Sequence, residues 1–176
     1  MTSVIVLVGN PKPHSRTRAV CAAIASRVAA AIPDATVTEI DLIDHAEILF
    51  TWPNATLAAL ATEVANCDIL IVGSPTYKGS YTGVLKAFLD RYPKDGLRES
   101  VAVPVMTASE PNHQLGVEVH LRSLLVELGA SAPSESVFFM MPNMPKMDDI
   151  LDEWAARNVP LVLAAAAARS STRGRS

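Results

Sequence analysis

A three-layer α/β sandwich built on a parallel sheet is the fold this sequence predicts, and three observations point to it. Val4 to Val8 (VIVLV) is an unbroken apolar run that ends at Gly9, and Asp68 to Val72 (DILIV) is a second that ends at Gly73. Strands buried on both faces read as such runs, and they occur in parallel sheets covered by helices on both sides. Between and beyond them, stretches with apolar residues four apart alternate with further short strands, which is the βαβ pattern.

Val4 to Val8 is the first central strand. Ser15 to Ile32 places Val20, Ile24 and Val28 on one helical stripe, and Pro33 stops it. Thr36 to Leu42 alternates in polarity and reads as a strand nearer the sheet edge, while Asn54 to Asn66 is a helix with Leu57, Leu60 and Val64 as its stripe. After the strand Asp68 to Val72, the segment Tyr81 to Tyr92 carries Val84, Leu85, Phe88 and Leu89 at helical spacing. Val101 to Met106 is a third apolar strand, interrupted by Pro104, and His113 to Leu128 is a helix stopped by Gly129. Ser136 to Met140 is the last strand and Asp148 to Ala168 the last helix, bent at Pro160. Right-handed crossovers leave two strand orders open, the dinucleotide-binding Rossmann order and 2-1-3-4-5, and both put ligands at the carboxyl ends of the buried strands.

At 176 residues, 49% hydrophobic and 19% charged, the chain is long enough for one domain that buries roughly 70% of its unfolded-chain surface. Residues 1–168 are expected to form it, with 169–176, which hold Arg169, Arg173 and Arg175, as a basic flexible tail. A formal charge of -3, with no stripe of Lys and Arg in the body, argues against nucleic acid as a partner. Cys21 and Cys67 sit in apolar stretches with no C-x-x-C spacing, as small core residues of a cytoplasmic protein do. The N-terminus lacks a basic segment and cleavage site, and Val159 to Ala168 is too short to span a bilayer, so no membrane association is expected.

Function is to be sought in the loops after Val8, Val72 and Met106. The first, Gly9-Asn10-Pro11-Lys12-Pro13-His14-Ser15-Arg16-Thr17, matches neither G-x-G-x-x-G nor a P-loop. Its hydroxyls flank a guanidinium where a helix begins, which suits a phosphate; the alternative is that Ser15 or Thr17 simply caps that helix. The second, Gly73-Ser74-Pro75-Thr76-Tyr77-Lys78-Gly79-Ser80-Tyr81-Thr82-Gly83, has backbone donors and aromatic faces for a planar heterocycle, or is a plain turn with packed tyrosines.

Together, GNPKPHSRT and GSPTYKGSYTGVLKAFLD resemble the NAD(P)H-dependent FMN reductase family over roughly residues 3 to 140. These are flavodoxin-like proteins that include the flavin reductases of two-component alkanesulfonate monooxygenases. The resemblance implies a flavodoxin-like sheet of order 2-1-3-4-5, FMN and NAD(P)H as cofactors, and a homodimer or homotetramer with a helix from Tyr81 at a subunit interface. It further implies that Ser15, Arg16 and Thr17 hold the FMN phosphate beside Gly9, Asn10 and Lys12, and that Pro75, Thr76, Tyr77 and Lys78 lie along the isoalloxazine. Thr107, Ser109 and His113 of the third loop would meet its pyrimidine side. In that loop the family has a pair of glycines where this chain has Ala108 and Ser109, followed by Glu110, while the histidine is kept. Some family members insert a tyrosine in the fourth helix that makes a π-bulge; residues 118–129 contain none, so a regular α-helix is expected.

Hydride transfer from nicotinamide to flavin requires no side-chain nucleophile, and the acceptor could be free flavin, a quinone or dioxygen, with a partner monooxygenase downstream. No G-x-S-x-G elbow occurs, and His14, His45, His113 and His120 have no metal-ligand spacing. Two rival readings remain, an electron carrier of the flavodoxin type and a flavin-free binding member of the fold. Trp52, in the long loop Ile43 to Asn54, either covers a ligand or partner or packs half-exposed on the domain.

Overall fold

In the computed structural model, which describes residues 1–173, the chain runs β1 (Ser3–Val8), α1 (Arg16–Ala30), β2 (Thr36–Asp41), α2 (Ala55–Ala65), β3 (Ile69–Pro75) and α3 (Gly83–Leu89). It continues through β4 (Val101–Ala108), a π-helical segment (Val117–Arg122) that leads into α4 (Ser123–Glu127), β5 (Val137–Met140) and α5 (Met147–Arg173). The sheet is parallel throughout with order β2-β1-β3-β4-β5, which decides between the two orders left open by the sequence. The last turn of α5 takes in residues 169–173, assigned to the tail by sequence, and residues 174–176 lie outside the described part. No described helix is long and apolar enough to cross a membrane.

The period of two along each central strand builds two cores. Val4, Val6, Val8, Ile69, Ile71, Val103 and Val105 meet α1 and α5 through Val20, Ile24, Val28, Leu151 and Val162. Ile5, Leu7, Leu70, Val72 and Met106 face the other way, onto Leu57 and Val64 of α2, Leu85 and Phe88 of α3, and Leu121 and Leu125 of the fourth helical region. Cys21 and Cys67, neither of them in a disulfide, are buried in these layers.

Pro104 does not interrupt β4. Ala102 points its N–H toward the β5 side, donating to the Ser131 carbonyl at 2.7 Å, so Pro104, two residues on, faces the same side. There β5 pairs only from Val105 onward, and the Glu135 carbonyl accepts from the Trp154 indole at 3.0 Å. A proline is tolerated where no ladder bond is required of it. Two strands also run further than their apolar letters suggest. Pairing continues through Ser74↔Met106 and Pro75↔Thr107, which carries both strands into the loops that were expected to begin at Gly73 and Thr107.

The expected helix His113 to Leu128 is replaced by a 3₁₀ turn (Pro111–His113), the π-helical segment and α4. This corrects the expectation of a regular helix, and polar clamps rather than a tyrosine accompany the wide turn. Arg122 Nε pairs with Glu118 Oε2 at 2.5 Å, while its Nη atoms reach the Ala132 and Ser134 carbonyls. Ser123 Oγ donates to the Glu118 carbonyl, five residues back, at 3.3 Å. A side chain thereby satisfies a carbonyl that a regular i→i−4 ladder would pair.

At the top of β1, a Cβ on Gly9 would stand 2.4 Å from Leu85 Cβ and 2.9 Å from Leu85 Cα. Only glycine lets α3 pack this close to the strand end. Gly9→Ala is therefore expected to destabilise the fold by about 1–3 kcal/mol in urea denaturation, the usual cost of overpacking a close contact. Gly83→Ala, whose Cβ meets nothing within 4 Å, is expected to leave stability unchanged or raise it.

Partial burial pushes the Glu118 carboxyl up, but hydrogen bonds from Arg122 and Ser136 outweigh it and hold the group below its ordinary value. A depressed folded-state pKa stabilises the fold above the unfolded value, about 4.3, and the contribution is lost as pH falls through the folded value. Glu118→Gln should be less stable than wild type at neutral pH, and the gap should narrow as denaturation is repeated toward about pH 3. A gap that does not depend on pH would sink this assignment.

Candidate functional site

Ser15 is extended (φ −71°, ψ 154°) and its Oγ accepts from Arg18 N–H at 3.2 Å, the side-chain cap of α1. The capping interpretation of Ser15 therefore holds, and its hydroxyl proton remains available to donate. The N–H groups of Arg16 and Thr17 lie in the first helical turn, where no intrahelical acceptor precedes them. Below them runs a buried polar chain in which Asn10 Nδ2 donates to Thr17 Oγ1 at 3.0 Å, and Thr17 Oγ1 meets Thr107 Oγ1 at 2.8 Å. Asn10 Oδ1 accepts from Lys12 N–H at 3.0 Å and folds the loop back on itself.

The second loop is a tight hairpin. Tyr77 N–H donates to the Ser80 carbonyl at 2.9 Å and Ser80 N–H returns a bond to Tyr77 at 3.2 Å. Lys78 (φ 53°) and Gly79 (φ 81°) at its tip are both left-handed, as a two-residue turn that matches strand twist requires. Its base is fixed to β4 by Thr76 N–H to the Thr107 carbonyl at 2.7 Å. Beyond it, Thr82 caps α3 through Leu85 N–H at 3.2 Å, and its hydroxyl donates to the Gly9 carbonyl.

These loops enclose a cavity of about 420 Å³ at the carboxyl ends of β1, β3 and β4, within the range of roughly 300–1,000 Å³ of small-molecule sites. Asn10, Lys12, Ser15, Arg16 and Thr17 line it from the first loop, Pro75, Thr76 and Tyr77 from the second, and Thr107 and Ser109 from the third. Three expected residues are not in its wall. Gly9 is buried beneath, against Leu85; Lys78 is at the hairpin tip; the His113 ring stands beside Gly79, with Nδ1 3.6 Å from the Cβ position there. Pro13, His14, Ala108 and Met141 are lining residues that were not expected. Met141 follows β5, and its signal was topological, since β5 is the neighbour of β4 and its following loop opens on the same side. Glu110 is exposed and outside the lining. Trp52 is elsewhere, with the Arg91 guanidinium 4.2 Å from its ring centroid, beside a groove of about 650 Å³ walled by α2 alanines and without a strand end.

The lining includes no carboxylate, while neither Lys12 nor Arg16 makes a side-chain hydrogen bond or ion pair among the described residues. Thr76 Oγ1 is buried in the wall with no partner. A hydroxyl left this way costs free energy unless a ligand completes it. Unpaired cations, free N–H groups at a helix start and an orphan hydroxyl suit an anionic ligand with a polar, hydrogen-bonding body.

The model of the NADPH-dependent FMN reductase family matches residues 2–143. An FMN reductase (NADPH) of Pseudomonas putida is 36% identical over 75 residues, 43% of this chain and 38% of that protein. The Escherichia coli K12 protein of the same name is 34% identical over 82 residues, 47% of this chain and 43% of its own length. The chain thus matches about two fifths of the length of these relatives. The apo form of an NADH:FMN oxidoreductase superposes with a TM-score of 0.76 at 28% identity, covering 90% of both chains. A flavodoxin of Streptococcus pneumoniae shares the fold at a TM-score of 0.54 and 17% identity, covering 89% of this chain and 99% of its own. With four fifths of its length matched and the loops of the site inside the match, the chain belongs to the NADPH-dependent FMN reductase family.

Proposed function

We propose that the protein is an NAD(P)H-dependent FMN reductase whose flavin site is the cavity at the carboxyl ends of β1, β3 and β4. One observation carries the reading: a cavity with two unpaired cations and no carboxylate also holds the buried, unpartnered hydroxyl of Thr76. Held in this cavity, FMN would supply an acceptor for hydride from NADH or NADPH and a donor of electrons to free flavin, a quinone or dioxygen.

The chain's own residues bind and orient. Arg16, with the first-turn N–H groups and the Ser15 hydroxyl, holds the phosphate, and Lys12 adds charge at the cavity mouth. Thr76 would donate to the polar edge of a bound ring system by turning its buried hydroxyl toward the cavity, and the 45%-exposed Tyr77 ring would shield that ring system from solvent. Ala108 and Ser109 contribute Cβ atoms where the family has glycines, which narrows the third wall and leaves the Ser109 hydroxyl to bond there. These residues need only bind and orient, since the chemistry of the reaction resides in the two cofactors.

The small-molecule partners are then a nicotinamide and a flavin or quinone, with a partner monooxygenase as one consumer of the reduced product. Exposed Phe50 (78%) and Trp52 (60%) favour a homodimer or homotetramer. Two buried cysteines outside any disulfide suit a reducing, cytoplasmic setting.

An absorbance titration with FMN, followed by anaerobic NADH or NADPH, tests the reading. A bound flavin band that bleaches is the expected result; a band that persists would mean an electron carrier, and no uptake would mean a flavin-free member. Replacing both Arg16 and Ser15 by Ala is expected to weaken FMN binding by a few kcal/mol in total, roughly two charge-assisted bonds, and riboflavin binding far less. Equal losses for both ligands would move the phosphate elsewhere.

A further inference from the structure

The tip of the Tyr77–Ser80 hairpin is seated in a notch. A Cβ built on buried Gly116 would stand 2.9 Å from the Gly79 carbonyl oxygen, well inside the roughly 3.5–4.0 Å at which non-bonded atoms pack. The His113 ring flanks the same tip, 3.6 Å from the Cβ position of Gly79, and the His120 ring edge lies 3.8 Å from that of Gly116. The hairpin is held at its other end by Thr76 N–H to the Thr107 carbonyl, 2.7 Å. Between these anchors it is stiff, with two reciprocal hydrogen bonds and a two-residue turn in fixed left-handed backbone. Tyr77 sits between tip and base and lines the cavity. A displacement of the tip therefore turns Tyr77 about the anchored base.

We infer that Gly116 is a positioning residue for the flavin site. Its missing side chain sets the depth at which the Gly79 carbonyl seats, and so how far the Tyr77 ring stands over the cavity. The inference rests on the flavin reading of that cavity. The opposing atom is a backbone oxygen rather than the end of a flexible side chain, so even one methyl group must push the hairpin away. Gly116 lies outside the cavity wall and acts only through the hairpin.

The test is a double-mutant cycle on the full chain, with FMN titration, steady-state kinetics and thermal melting of each protein. Gly116→Ala is expected to raise Kd and KM for FMN roughly tenfold, with kcat within about twofold of wild type. In a Tyr77→Ala background, the same substitution should add little, because the residue through which it acts is gone. An unchanged Kd, or fully additive effects, would overturn the inference. Should Gly116→Ala not fold, exposed His113 supplies the cycle from the other side of the notch. His113→Ala should raise Kd when Tyr77 is present and not when it is Ala, and an equal rise in both proteins would overturn the inference. Wild-type protein that takes up no FMN sinks the flavin reading, whereas wild-type uptake with unaffected variants sinks the positioning role alone.

Discussion

Bringing the carboxyl ends of β1, β3 and β4 side by side buries polar groups that have only one another to bond, and the site is arranged around that constraint. The Gly9 N–H donates to the Gly73 carbonyl at 2.8 Å, while the Gly9 carbonyl takes the Thr82 hydroxyl. Thr82 N–H in turn donates to Ser74 Oγ at 3.0 Å. Across the sheet, Asn10, Thr17 and Thr107 bond in one buried chain. A polar network in a low-dielectric interior is stable only when every member is satisfied. Here Gly9, Ser74 and Thr82, and Asn10, Thr17 and Thr107, are bonded across the three loops, and these bonds fix where the helix starts of α1 and α3 come to rest.

The same economy identifies what the fold leaves open. Ser74, Thr82, Thr17 and Thr107 all engage their hydroxyls inside the protein. Thr76 Oγ1 is buried and unpartnered only a few residues away. The contrast lies between neighbouring residues of identical chemistry.

The central strands and α1 were legible because their signals are local: runs of apolar letters, a four-residue stripe, a stopping proline. What escaped the sequence depended on neighbours in space. Pro104 looked disruptive until the N–H it lacks proved to face a stretch where β5 has not yet begun to pair. The wide helical turn at Val117–Arg122 was sought through a tyrosine, whereas Arg122 and Ser123 accompany it by donating to carbonyls that no spacing rule connects, with the Glu118 carboxylate accepting from Arg122. At the cavity, most residues singled out in the first loop do line the wall, since a helix start presents consecutive residues to one side. Lys78 and His113 stand outside the cavity wall because a hairpin tip and a 3₁₀ turn point where the turn geometry sends them. Met141 was missed because its loop follows a strand adjacent only in the folded sheet.

Charge separates stability from function in this chain. Arg18, Arg27, Arg122 and Arg157 each pair with a carboxylate, and Arg91 donates to the Leu49 and Thr51 carbonyls. Arg16 is exposed and makes no such bond among the described residues. Exposed ion pairs contribute about 0–1 kcal/mol, so leaving Arg16 without one costs the fold little. A guanidinium already committed to a carboxylate would have to break that pair before it met a phosphate. Left unpaired beside the α1 N-terminus, its charge is spent on nothing inside the protein and adds to the positive end of the helix dipole. The fold therefore stands on its buried layers and interlocked strand ends, and the mouth of the cavity keeps its positive charge unpaired among the described residues.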